Sequence, residues 1–149
     1  MRHLDHGVLV LGEGTPIEER LSRLHEGLAR TLKEHRPAIV AIEDIFHAQH
    51  ARSALVLGQA RGVALLAAAQ SGARVRSFAP SVVKQAVTGS GRAEKEQVSR
   101  MVAVLLGITI VGRADASDAL AVAICGLLRA REPETAVTPI PALLQRRRR

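Results

Sequence analysis

The 149-residue sequence predicts a single α/β domain. Three observations carry that expectation. Short apolar runs that read as strands, at 7–11, 38–43 and 73–79, alternate with longer segments of helical character. The run "AIVAIE" (38–43) is apolar up to a closing acid, the pattern of a strand covered on both faces. Apolar residues make up 47% of the chain, enough for a core. Phe46 and Phe78 are its only aromatic residues, so Ala, Val, Leu and Ile must fill that core.

Taken in order, "GVLVL" (7–11) reads as a strand and "GEGTP" (12–16) as a turn. Thr15 is expected to N-cap a helix with Pro16 at its first position and Glu18 and Glu19 in its first turn. Ile17, Leu21, Leu24, Leu28 and Leu32 recur at three and four, which predicts an amphipathic helix over 17–35, with Pro37 beyond its end. The segment "SALVLGQARGVALLAAAQ" (53–70) is apolar almost all round. Its Gly58 and Gly62, four apart, permit close approach of another helix, in this chain or across a dimer; a simple core helix is the other reading. "ARVRSFA" (73–79) reads as a strand, and Pro80 opens a short helix over 80–87. Gly89 and Gly91 make a loop, and helices follow at 93–106 and 115–131. Pro133, Pro139 and Pro141 mark a loose end, so residues 1–131 are expected to form the domain and 132–149 a flexible basic tail.

The formal net charge is +7, and four of the positive charges are the arginines at 146–149. That excess suggests a polyanionic partner, nucleic acid first, although a short arginine run is also what a solvated chain end looks like. No apolar stretch is long enough to span a bilayer, and no basic segment leads into an apolar core and cleavage site near Met1. The single cysteine, Cys125, excludes an internal disulfide and fits a reducing cytoplasm.

Three acids fall at the ends of predicted elements. Glu43 closes the apolar strand, and Asp115 and Asp118 open the last helix, where a spacing of three puts both on one face. Ala114, Ala116 and Ala119 around them are small enough to let that helix start approach a strand end. Clustered carboxylates repel and need a compensating cation, and hard oxygen donors suit Mg²⁺ or Mn²⁺. Two such ions roughly 3.5–4 Å apart can activate a water and stabilise a leaving oxygen in phosphodiester hydrolysis. The plainer reading is that Asp115 is an N-cap and Asp118 the acid of a capping box. Lys84 and Lys95 can each reach a phosphate, or can be ordinary surface lysines. The loop "GSGR" can present backbone N–H groups to a phosphate, but it does not match a P-loop.

Together "AIEDIFHAQHARSALVLGQARGVAL", "VKQAVTGSGRAEKEQV" and "ADASDALAVAI" resemble the RuvC family of Holliday-junction resolvases, in order from about Leu21 to Leu128. The resemblance implies a ribonuclease-H-like fold: a mixed sheet flanked by helices. It implies a homodimer that makes paired nicks across four-way DNA junctions in recombination and repair. It implies Mg²⁺, with Mn²⁺ as a substitute and two ions per active site, and a branch-migration motor as partner. On this chain, Glu43, Asp115 and Asp118 match the family's catalytic, metal-binding acids, and Lys84 and Lys95 its two lysines near the cleaved phosphate. DNA contacts are implied for Phe46, His47, Arg52, Lys84, Arg92 and Lys95, and a dimer interface for Leu57, Gly58, Arg61 and Gly62.

The family opens with a strand ending in G-[IV]-D-P-G, which supplies its first catalytic aspartate. That motif is absent here, and Asp5 in "HLDHG" has no strand before it and no Pro-Gly after it. The fold is therefore expected to lack its first strand in this chain. An upstream start of a normal enzyme would explain this; a truncated, catalytically inactive junction-binding relative is the alternative function. A related nuclease acting on RNA–DNA hybrids is a further reading that the carboxylates alone do not separate.

Overall fold

A computed structural model of the chain describes residues 1–44, 51–109 and 114–130. Five helices and two strands follow one another: α1 (Ile17–His35), β1 (Ile39–Glu43), α2 (Ala51–Gln70), β2 (Arg74–Phe78), α3 (Pro80–Thr88), α4 (Lys95–Leu106) and α5 (Ala114–Leu128). The α/β class read from the alternation holds, and every helix expected from the sequence is present.

β1 and β2 run parallel, joined through α2, with Ile42 opposite Ser77 and Glu43 opposite Phe78. Successive side chains in a strand point to opposite faces. Ala41, Glu43 and Phe78 therefore face one way, and Ile42 and Ser77 the other. α5 covers the first face. Its Gly126 lies so close to β1 that a Cβ there would sit 2.8 Å from the Cβ of Ala41 and 3.7 Å from the Phe78 ring. α3 and α4 pack against α5 on the same side. Between them lies the core of Phe78, Val83, Val87, Val98, Val102, Leu120, Ile124 and Cys125, aliphatic as the composition requires. α2 and α1 pack together on the other side, bridged by a 2.9 Å hydrogen bond between His25 and Gln70.

Five local expectations are corrected. Residues 7–11 form no strand, because the described residues offer them no ladder partner. The segment lies along α1 instead, with Leu9 over Gly27. Among the described residues the sheet has only two strands, which run parallel, so β1 has one neighbour; its residues 39–42 are half-buried rather than enclosed, and Glu43 is exposed. Thr15 does not cap α1: the N-cap is Pro16, whose carbonyl accepts from Arg20 N, with no side-chain bond. α4 starts at Lys95, two residues later than the apolar period suggests, because Glu94 and Gln97 form a capping box. Glu94 N donates to Gln97 Oε1 at 2.9 Å. α5 ends at Leu128, three residues before the expected end. The expected tail, 132–149, lies outside the described residues.

Candidate active site

The C-terminal end of β1, the start of α3, the start of α4 and the second turn of α5 meet in one cleft. Glu43, Lys84, Lys95 and Asp118 line it, on a floor of Pro80, Val83, Val98, Ala121 and Val122. Each polar group is delivered by a local device. Glu43 is the last residue of β1, so its side chain leaves the sheet where the strand stops. Pro80 starts α3 without needing an N–H partner and so places Lys84 one turn in. The capping box fixes the start of α4 and hence Lys95. The close approach of Gly126 to Ala41 holds α5, and with it Asp118, against β1.

Lys95 Nζ donates to Asp118 Oδ2 at 2.8 Å, with both side chains about half exposed. That hydrogen bond, with the charges of Asp118, Asp115 and Glu96, raises the Lys95 pKa above its ordinary value. The Glu43 carboxyl is also raised, first by partial burial and then by the Asp118 charge, while Lys95 and Lys84 pull it back down. A carboxylate at the end of an apolar strand is therefore costly, as the sequence suggested, and its neighbour across the cleft is a second carboxylate. Asp118 is engaged by Lys95 rather than by a helix cap. Asp115 sits exposed in the first turn of α5, close enough to act on Lys95 and on the end of the helix dipole that favours an acid.

Oxygen donors in a cleft where two carboxylates oppose each other suit a hard divalent cation. Among the described residues no three acidic, histidine or cysteine side chains converge as a ready-made cage. That is compatible with Mg²⁺, which is commonly held by one or two carboxylates and completed by water or phosphate oxygens.

The other site residues are distributed as follows. Phe46 and His47 lie outside the described residues. Arg52 is exposed at the start of α2, and Arg92 is exposed in the loop before α4. The "GSGR" loop does not offer its N–H groups to a phosphate. Ser90 N donates to Thr88 Oγ1, Gly91 N to Gln85 Oε1 and Arg92 N to Ser90 Oγ. Gln85 Nε2 also donates to Gly89 O, so one side-chain amide brackets the loop, a role that no sequence motif signals. On α2, Leu57 is 47% and Leu55 63% exposed, and a Cβ on Gly58 or Gly62 would meet nothing within 4 Å. Arg61 points into its own chain, donating through Nη2 to Asp44 Oδ1 and to Ser77 Oγ.

Comparison with known proteins bears on the fold and the family. The family model described as "Crossover junction endodeoxyribonuclease RuvC" matches residues 1–126, reaching further toward the N-terminus than the resemblance read from the motifs. Relatives carrying that name include proteins from Trichlorobacter lovleyi and Myxococcus xanthus. The first is 49% identical over 123 residues, 83% of this chain and 69% of its own length. The second is 50% identical over 131 residues, 87% of this chain and 69% of its own length. The structure of Thermus thermophilus RuvC superposes with a TM-score of 0.78 at 36% identity, covering 87% of this chain and 79% of that one. The structure of T. thermophilus RuvC in complex with Holliday junction substrate gives 0.77 at 33%, over the same shares. The family-model match, the relatives and the shared ribonuclease-H-like fold lead to one conclusion: this chain belongs to the crossover junction endodeoxyribonuclease RuvC family.

Proposed function

We propose that the protein is a metal-dependent endonuclease that resolves four-way DNA junctions in recombination and repair. The observation that carries this reading is the shared cleft in which Glu43 and Asp118 oppose each other beside Lys84 and Lys95. In this reading Glu43, Asp118 and Asp115 hold Mg²⁺, or Mn²⁺ in its place, with two ions at each site. Bound there, the ions would supply the positive charge that activates water and stabilises the leaving 3′-oxygen. Lys95 orients Asp118 through their hydrogen bond and, with Lys84, would face the phosphate. Exposed Arg92 and Arg52, together with Phe46 and His47, are assigned to the DNA.

The open apolar face of α2 supports a homodimer. Leu57, Gly58 and Gly62 are left exposed by the described residues, and a two-fold interface there would present two sites to a two-fold substrate. A branch-migration motor as partner and a cytoplasmic location are further proposals from the family. A buried Cys125 that is in no disulfide is compatible with the latter. The basic run at 146–149 is assigned to non-specific DNA affinity.

The test is cleavage of a synthetic four-way junction in Mg²⁺ by this chain and by a version extended upstream with the family's aspartate-bearing strand. Cleavage by either form, lost in Glu43→Gln with binding kept, supports the nuclease. Junction binding without cleavage by both forms supports the inactive relative instead.

A further inference from the structure

Arg61 lies on the face of the sheet opposite the cleft, yet it is tied to the end of the strand that carries Glu43. Its Nη2 donates to Asp44 Oδ1 and, at 2.8 Å, to Ser77 Oγ. Asp44 directly follows Glu43, and Asp44 N donates to Phe78 O at 2.9 Å, which carries the ladder one residue past β1. Ser77 is the residue before Phe78, and Phe78 is the register partner of Glu43. One guanidinium therefore binds both strand ends at the point where the sheet opens into the cleft. The Arg61 and Asp44 side chains are only about a quarter exposed, so the ion pair is shielded better than the pairs at the surface. The charges acting on Glu43 are those of Asp118, Lys95 and Lys84, with Arg61 not among them. Its influence must pass through the backbone of Asp44.

Arg61 also sits on α2 within one turn of Leu57 and Gly58, the exposed apolar stretch of that helix. A shift of α2 would be felt at Asp44 and Ser77 before it reached any side chain of the cleft. We infer that Arg61 is a positioning residue, which sets the end of β1, and so Glu43, from the far side of the sheet and links α2 to the cleft. This deepens the nuclease reading and rests on it for its catalytic consequence. It departs from the placement of Arg61 in a dimer contact.

The experiment has two readouts on Arg61→Met, Arg61→Lys and Ser77→Ala. The first is hydrogen exchange at the Asp44 amide in the metal-free 149-residue chain, which needs no activity. Exchange is expected to quicken at least tenfold in Arg61→Met and less in Ser77→Ala. Protection at the α5 amides is expected to stay unchanged. The second is single-turnover junction cleavage at saturating protein, in whichever of the two forms cuts. A fall of about 10²-fold in rate is expected for Arg61→Met. Junction affinity and dimerisation should stay within about twofold, and Arg61→Lys should recover part of the rate. Unchanged Asp44 exchange in both Arg61→Met and Ser77→Ala overturns the inference. So does a loss of affinity or dimerisation that accounts for the whole loss of rate. If neither form cuts but Asp44 exchange still quickens, the nuclease reading fails while the clamp on the strand end stands. Should Arg61→Met not fold, Ser77→Ala removes a single bond and carries both readouts.

Discussion

Lys95 opens α4 with a positive charge at the end of a helix where the backbone dipole disfavours one. Local rules would put an acid there, and the departure is explained by Asp118, 2.8 Å away on α5. Lys95→Met is expected to slow junction cleavage by about 10²-fold, the usual effect of removing one charged stabiliser of a transition state, while binding persists. Single-turnover rates beside an affinity titration check this. Glu43 shows the complementary cost. Its pKa is raised in the folded chain, so ionising it opposes folding. The penalty is absent below the ordinary glutamate pKa, grows as pH rises through the raised value, and is complete above it. Glu43→Gln should therefore raise Tm slightly at about pH 7 in metal-free buffer and leave it unchanged at about pH 3. Thermal melts at the two pH values test the sign. The acids were legible in the sequence because each stands at the end of a strongly patterned element. Arg61 and Gln85 were legible only as residues, since their roles depend on which strand ends and loop they reach.

At the scale of elements, the periodic helices were read closely, and α1 was placed at its observed limits from apolar spacing alone. The cap of α1 and the start of α4 were misjudged where side chains decide them: Thr15 makes no cap, and Glu94 with Gln97 makes one. Glu94→Ala is expected to cost about 1 kcal/mol through loss of that cap. It should also loosen Lys95, so cleavage should fall further than stability explains; denaturant melts and rates compared on one variant separate the two. Gly126 is the element-level contact that joins α5 to the sheet. Gly126→Val should destabilise by about 2 kcal/mol, because the added carbons collide with Ala41 and Phe78. Urea titration measures it. The segment 7–11 shows why a strand pattern is only a conditional signal. "GVLVL" has the composition of a strand, but a strand needs a neighbour to pair with, and here it lies over Gly27 of α1 instead.

For the whole molecule, the two faces of the sheet divide the work. The side of α3, α4 and α5 holds the core and the cleft, and the side of α1 and α2 carries apolar residues that the described residues leave exposed. Burial of that surface across a two-fold axis predicts that Leu57→Glu yields a monomer by sedimentation and loses paired nicking. The charge at 146–149 belongs to the same scale. Removing the four arginines should lower the slope of log affinity against log salt by up to roughly three to four, as expected for four fewer phosphate contacts. Charge and fold class were readable from composition and periodicity. The division into a side with the candidate cleft and a side with the exposed apolar face was not, because it depends on which face of β1 each helix covers.

The most direct test of the central claim is the single-turnover rate of four-way junction cleavage in Mg²⁺, parent against Asp118→Asn, measured on both the 149-residue chain and its upstream-extended form. The account predicts cleavage by at least one parent form and its loss by several orders of magnitude in Asp118→Asn, with junction affinity retained. No cleavage by either parent, or an Asp118→Asn variant that cuts at the parent rate, would contradict it.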